Sequence, residues 1–332
     1  MPAPLLPALR TAAPHRPLLW FSLAMAALAV VSAVGTAADD RVLVGAPIWF
    51  KPLKFSGSFV LYGLTLAWLL GRSPARSRTG WWAGTVVAVT GAVEMAVIVG
   101  QTVRGRRSHF NFATPLDQAF FAIMGVTIVV LWLATLVIAL LQFRRGQGAD
   151  PAATWAVRLG VLIALAGLAL GGLMLAPTPE QQAAAAHGVR EIVGAHSVGV
   201  PDGGPAMPLT GWSTTGGDLR IPHFVGMHAL QLLPLFLFGL DALGRRIPRL
   251  RTERVRLRLV LVAAGFLTGL LALVTWQALR GQPLIHPDAP TLGALAALLT
   301  ATALGTLAAL RAPTRPYDET AETAARPQEL TA

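Results

Sequence analysis

The chain has 332 residues, of which 54% are hydrophobic and 13% charged, a balance too apolar for an ordinary soluble domain. It carries a formal net charge of +11 and no cysteine, which excludes disulfides, thiolate metal sites, iron–sulfur clusters and cysteine nucleophiles. The arginines lie in short loops between apolar blocks, which is typical of a membrane topology signal. Nucleic acid is therefore not an expected partner.

The apolar blocks are long enough to cross a bilayer, which takes about 20 residues per helix. They predict an all-α polytopic transmembrane helix bundle of about eight spans, near residues 18–38, 55–71, 80–101, 116–142, 155–176, 221–243, 256–279 and 290–311. Seven spans would remain if the first were a cleaved signal sequence, but its long apolar run favours a retained helix. The rest divides into a cytoplasmic segment 1–17, a long extracytoplasmic loop 177–220 and a disordered cytoplasmic tail 312–332.

The basic residues predict the orientation of the bundle. With a cytoplasmic N-terminus, 18 of the 27 Lys and Arg residues fall on the inner side, and both termini are then cytoplasmic. Arginine outnumbers lysine 25 to 2, which favours a high-GC bacterial genome. The expected location is therefore the bacterial cytoplasmic (inner) membrane, with the lipid bilayer as first partner.

Capping residues and prolines predict where several helices begin. Proline follows a capping residue at Thr114-Pro115 and Asp150-Pro151, and Thr178 with Gln181 forms a capping-box pattern that predicts a short helix through Ala186. In the fifth span, Gly167-x-x-x-Gly171 predicts close packing against a neighbouring helix.

Six of the seven histidines fall on the predicted outer side, and the sixth span carries two of them. His223 and His228 are five residues apart, about 140° around the axis, so they do not share a helix face. Pro234 predicts a kink that leaves the carbonyl of Leu230 unpaired, and Gln231 shares a face with His228. Ionisable residues inside a span are commonly functional, so His228 is a candidate.

Glu94 is the only acid placed well inside the hydrocarbon, and its predicted depth matches that of His228. The hypothesis is that the two form a catalytic pair across an outward-opening pocket. Gln101, Gln231 and His223 would bind the ligand, with Gln118 and Gln277 nearby. The alternative for Glu94 is a neutral side chain that hydrogen-bonds a backbone carbonyl.

Both lysines of the chain, Lys51 and Lys54, are predicted at the outer surface beside interfacial aromatic residues. With Arg220 and a cluster of three arginines at 104, 106 and 107, they would form a site for an anionic ligand or a lipid headgroup. The alternative is that they only anchor the helix at the interface by snorkelling.

These residues do not determine one activity. The pocket would serve a small molecule, a metal or a proton, and no cofactor or oligomeric state is assigned. A proton-coupled transporter or permease is one alternative. The other is a metal-dependent membrane hydrolase, with His223 or His228 and a loop histidine as ligands and Glu94 as acid/base, or a haem-binding redox protein that needs a loop histidine such as His109.

Three blocks, residues 46–55, 111–117 and 211–231, resemble segments of multi-pass membrane proteins from high-GC bacteria. The resemblance spans most of the chain. It implies a multi-pass membrane fold and brings no activity with it.

Overall fold

The computed structural model describes residues 15–71, 77–144 and 150–311. Its helices are α1 (Arg16–Ala38), α2 (Phe50–Gly71), α3 (Arg78–Val103), α4 (Pro115–Arg144), α5 (Pro151–Leu170), α6 (Pro179–Ala186), α7 (Arg220–Met227), α8 (Ala229–Gly244), α9 (Glu253–Leu279) and α10 (Ala289–Arg311). Two antiparallel pairs join the short strands β1 (Val42–Leu43) with β2 (Ala46–Pro47), and β3 (Ser197–Val198) with β4 (Gly217–Asp218). Apart from residues 15–17, the segments 1–17 and 312–332 predicted as cytoplasmic lie outside the described residues.

Among the described residues, seven helices are long and apolar enough to cross a membrane, and the bent pair α7–α8 makes an eighth if it crosses as one span. The prediction of an all-α polytopic bundle with about eight spans is confirmed. The second helix begins at Phe50 rather than at residue 55. Pro52 is compatible with this start because it lies in the first turn, where no backbone N–H is needed.

The predicted helix starts are also confirmed. The Asp150 side chain accepts hydrogen bonds from the backbone of Ala152 and Ala153 at the start of α5. Thr178 and Gln181 form the complete capping box of α6. These capping interactions make each of the two helices begin at a defined residue, and the preceding loop ends there.

The two largest of the four buried apolar clusters in the described residues share α5. The larger one packs α1 to α4 against one side of α5 through side chains such as Leu18, Leu66 and Ile138. The smaller one packs α8 and α9 against α5 through residues such as Leu233 and Val260. Large apolar side chains on the outside are exposed, as expected for surfaces that face lipid.

Helix α5 meets α7 through glycine, as the sequence predicts. A Cβ atom added at Gly167 would lie 2.5 Å from the Cα of Gly226, so the two backbones touch where a side chain would separate them. A Cβ at Gly171 would lie 3.2 Å from the His223 ring. This contact places α7, and the residues that it carries, directly on α5.

We call one end of the bundle the loop end, defined by residues 39–49, 104–114, 171–219 and 280–288. Its segments contact one another: Arg41 donates to the carbonyl of Val103, and Phe112 N–H donates to the carbonyl of Glu191 at 2.8 Å. A Cβ at Gly217 would lie only 1.9 Å from the carbonyl oxygen of Ala278, so the long loop also rests on the end of α9.

Candidate functional site

The long loop 171–219 folds back over the bundle. Strand β3 pairs with β4, and the Leu219 N–H donates to the carbonyl of His196 at 2.9 Å. The Val193 N–H donates to the carbonyl of Phe110, which joins this loop to the segment 104–114. The loop is therefore a folded cover rather than a simple connection.

A cavity of about 500 Å³ lies under this cover. Four titratable side chains from different parts of the chain line it: Lys54 from α2, His196 and Asp202 from the long loop, and Arg220 from α7. Two of them, Lys54 and Arg220, belong to the ligand-binding set predicted from the sequence.

Lys54 borders the cavity without an acidic partner. Its Nζ donates to the carbonyl oxygen of Thr210 at 2.8 Å and lies 4.5 Å from the ring centre of Phe50. In the described part of the chain, no carboxylate lies within 4 Å of this ammonium group. A carbonyl dipole and an aromatic face compensate a full charge only in part.

Arg220, in contrast, has a full counter-charge. Its Nε and Nη2 donate to the two carboxylate oxygens of Asp218 at 2.9 and 2.5 Å, and the Asp218 side chain is completely buried. The same Nη2 donates to the carbonyl of Gly211 at 2.6 Å. This two-point contact fixes the guanidinium plane at the cavity wall.

His196 is held by Asp202. Its Nδ1 lies 2.8 Å from Oδ2 of Asp202, and the same carboxylate accepts from the backbone N–H groups of His196 and Ser197. Burial lowers the pKa of His196 despite the opposing effect of Asp202. Burial alone would raise the pKa of Asp202, but the hydrogen bonds from His196 and Ser197 hold it well below its usual range. Asp202 is therefore a structural anion, with its oxygens occupied.

Comparison of the chain with protein-family models, with curated proteins and with solved structures finds no match.

The second lysine contacts a histidine. Lys51 Nζ lies 2.8 Å from Nδ1 of His109, and the His109 ring packs near Phe55, Phe110 and Phe121. Burial, and then the charge of Lys51, hold the pKa of His109 well below its usual range. We therefore assign a neutral ring whose Nδ1 accepts from the lysine.

Glu94 lies in α3 at 4% exposure, and its Oε1 accepts from the hydroxyl of Thr127 on α4 at 2.7 Å. Neither a hydrogen bond nor an ion pair joins Glu94 to His228 within the described residues. Neither residue lines the cavity under the loop, and a catalytic role for the pair stays a prediction.

The glutamines predicted around that pair serve separate local structures. Gln101 is completely buried, and its amide donates to Asp117 at 2.8 Å, where Arg104 also donates at 2.9 Å. Gln118 donates to the carbonyl of Phe112, and Gln277 donates to that of Pro283. Gln101 and Arg104 thus join α3 to the start of α4, and a ligand-binding role for Gln101 stays a prediction.

The sixth span is broken between α7 and α8, which are bent by 45° at His228. The bend lies six residues before Pro234, so the predicted position of the kink is wrong. Proline remains inside the continuous helix α8, whereas α7 turns at His228 and packs Gly226 against Gly167. The break in the sixth span therefore lies beside the close contact with α5, and not at Pro234, where the sequence predicts it.

The two histidines of this span have different neighbours. His223 Nδ1 lies 2.9 Å from the carbonyl of Gly167, while the His228 ring stacks on Phe224. Gln231 lies beside His228, and its carboxamide oxygen is buried without a hydrogen-bond partner. Within residues 15–71, 77–144 and 150–311, no three His, Asp or Glu side chains converge as a metal site would need. The predicted metal role of His223 and His228 stays a prediction.

Sequence reasoning missed Asp202, Asp218 and the loop carbonyls as parts of this site. The turn-rich stretch 200–205 and the Asp218-x-Arg220 spacing were visible, but neither shows which distant residue it meets. Lys54 contacts a residue 156 positions away, and no local pattern encodes such a contact.

Proposed function

We propose that this protein is a bacterial inner-membrane protein that binds a small anionic ligand in the cavity under the loop 171–219. The observation that carries the proposal is Lys54, a cation at the cavity wall with no carboxylate within 4 Å in the described part of the chain. Burying a charge without a counter-charge is costly, and a bound anion would remove that cost.

The size and composition of the cavity support the same proposal. Its volume of about 500 Å³ lies within the range of small-molecule sites, roughly 300 to 1,000 Å³. Arg220, fixed by Asp218, adds a second group with N–H donors at a set position. Such a preorganised donor pays little entropy when an anion binds.

We further propose that the loop end faces away from the cytoplasm. The support is the arginine distribution, in which seven of the basic residues fall in the segment 245–258 at the opposite end. The ligand would then reach the cavity from the extracytoplasmic side.

The experiment measures thermal stabilisation of purified protein by sodium salts of acetate, benzoate, citrate and phosphate, with benzylammonium chloride as the cationic comparison. A ligand at ten times its dissociation constant stabilises the fold by about 1.4 kcal/mol. We expect at least one anion to raise the melting temperature of the wild type, and this effect to disappear in Lys54→Met.

The matched control is Arg280→Met. It removes the same charge at the same end of the bundle, where Arg280 pairs with Asp288 and does not line the cavity. The proposal fails if no anion stabilises the wild type, or if Lys54→Met and Arg280→Met respond alike.

A further inference from the structure

The wall of the cavity has a polar part and an apolar part. Lys54, His196, Asp202 and Arg220 belong to the polar part, and Pro47, Phe50 and Met207 belong to the apolar part. A fully polar ligand would leave the apolar part of the wall exposed to water, whereas an apolar group attached to the anion would cover that part.

The charges favour a single negative charge on the ligand. Arg220 is neutralised by Asp218, while Asp202, whose carboxylate accepts from His196 and Ser197, is a negative charge that already lines the cavity. Lys54 is therefore the one cation lining the described cavity that has no acidic partner. A trianion such as citrate would bring more negative charge than the cavity compensates.

The cavity lies at the level where the apolar spans end. Thr36, near the end of α1, and Phe50, the first residue of α2, both line it. Helix ends of this kind lie at the membrane interface, where molecules with a charged head and an apolar body accumulate.

Two backbone carbonyls of the loop accept hydrogen bonds from the two cations, Lys54 and Arg220. The carbonyl oxygen of Thr210 accepts from Lys54 at 2.8 Å, and that of Gly211 accepts from Arg220 at 2.6 Å. Leu209, the residue before them, is 82% exposed and has a left-handed φ of 67°, which is strained for a leucine.

We propose that the ligand is an amphipathic monoanion, one carboxylate or phosphodiester attached to an apolar chain or ring, whose oxygens replace the carbonyls of Thr210 and Gly211 on Lys54 and Arg220. Its apolar body lies against Phe50 and Met207. Binding frees the segment around Leu209 from the two cations. This inference rests on the proposed anion site.

The chain has no cysteine, so a single label can be placed on the loop. Leu209→Cys carries an environment-sensitive fluorophore in nanodiscs of phosphatidylcholine. Ala186→Cys, on the exposed α6 outside the cavity lining, reports any general effect on the bilayer. The probes are decanoate, benzoate, citrate and decyltrimethylammonium.

We expect a saturable change at position 209, and none at 186, with decanoate but not with citrate or decyltrimethylammonium. Lys54→Met should weaken the decanoate response roughly 10-fold or more, as the loss of a charge-assisted hydrogen bond implies. Lys54→Gln gives a second test if Lys54→Met does not fold. Arg280→Met should leave the response unchanged.

Two further arms identify the source of the ligand. A label that is already shifted in phosphatidylglycerol nanodiscs, with no further effect of decanoate, assigns the site to a membrane lipid. A response to benzoate or decanoate that is the same in both nanodiscs assigns it to a free organic acid.

Two results would overturn the inference. If citrate stabilises the protein through Lys54 and decanoate does not bind, the anion site stands and the amphipathic ligand is rejected. If decanoate acts equally on wild type and Lys54→Met, or equally on labels 209 and 186, its effect is non-specific and the inference fails.

Discussion

Replacing Gly167 by alanine tests whether the contact of α5 with α7 positions the site. The added Cβ would lie 2.5 Å from both the Cα of Gly226 and the backbone nitrogen of Met227. Carbon atoms in contact are normally about 3.5 to 4.0 Å apart, so α7 would have to move by about 1 Å. Because the obstruction is backbone on both sides, no side-chain rotation can relieve it.

The cost follows from two opposing effects. Overpacking of this kind destabilises by about 1 to 3 kcal/mol, whereas alanine is preferred over glycine in a helix by up to about 1 kcal/mol. We expect a net loss of about 1 to 2 kcal/mol for Gly167→Ala. The matched control is Gly125→Ala in α4, where an added Cβ meets no atom within 4 Å and only the preference for alanine remains.

The assay is the melting temperature of purified protein in one detergent, read by intrinsic tryptophan fluorescence. Gly167→Ala should melt below the wild type, and Gly125→Ala at or above it. Since α7 also carries Arg220, the loop label at position 209 should change in Gly167→Ala alone. If both alanine variants melt together, close backbone packing does not hold α7 in place.

Two other variants test single buried contacts. The fold holds the pKa of His109 below its usual value of 6.5, so the unfolded chain binds more protons near pH 6 than the folded chain does. The stability that a neutral His109 contributes is therefore present above pH 6.5 and is lost as the pH falls. Between pH 7.5 and 5.5 the melting temperature of His109→Gln should therefore fall less than that of the wild type. The difference in the free energy of unfolding should be up to about 1.4 kcal/mol per pH unit. An equal fall in both proteins would contradict the assignment of a neutral His109. Asp117→Asn should destabilise the fold by about 2 to 3 kcal/mol, because Asp117 is fully buried and accepts from Arg104 and Gln101. The control Asp288→Asn, in a more exposed ion pair, should cost less than about 1 kcal/mol. Similar melting temperatures of the two variants would refute this prediction.

The sequence predicts the spans well because each depends on a local property. Hydrophobic length marks the helices, and Asp150 and Thr178 mark helix starts through bonds to residues two or three positions away. The contact of Gly167 with a neighbouring helix was predictable as well, since few residues allow such an approach.

The candidate site was predictable only in part. Matching Glu94 to His228 by depth gives their height in the bundle but not the direction in which each side chain points. The structure directs Glu94 toward Thr127 and surrounds His228 with Phe224 and Gln231. Lys54 and Arg220 were predicted as ligand-binding residues from charge alone, while the loop that joins them is set by contacts far along the chain.

The bond between Lys54 and Thr210 spans 156 positions, and this has a consequence for how the protein is made. Helices α1 to α5 precede residue 210 in the chain, so we expect Lys54 to reach the membrane interface before the loop that covers it is synthesised. Arg220, the last member of the cavity wall along the chain, follows ten residues later. We therefore expect the cavity to form only after the sixth span has been synthesised, and a chain that ends before Arg220 to leave Lys54 without its cover.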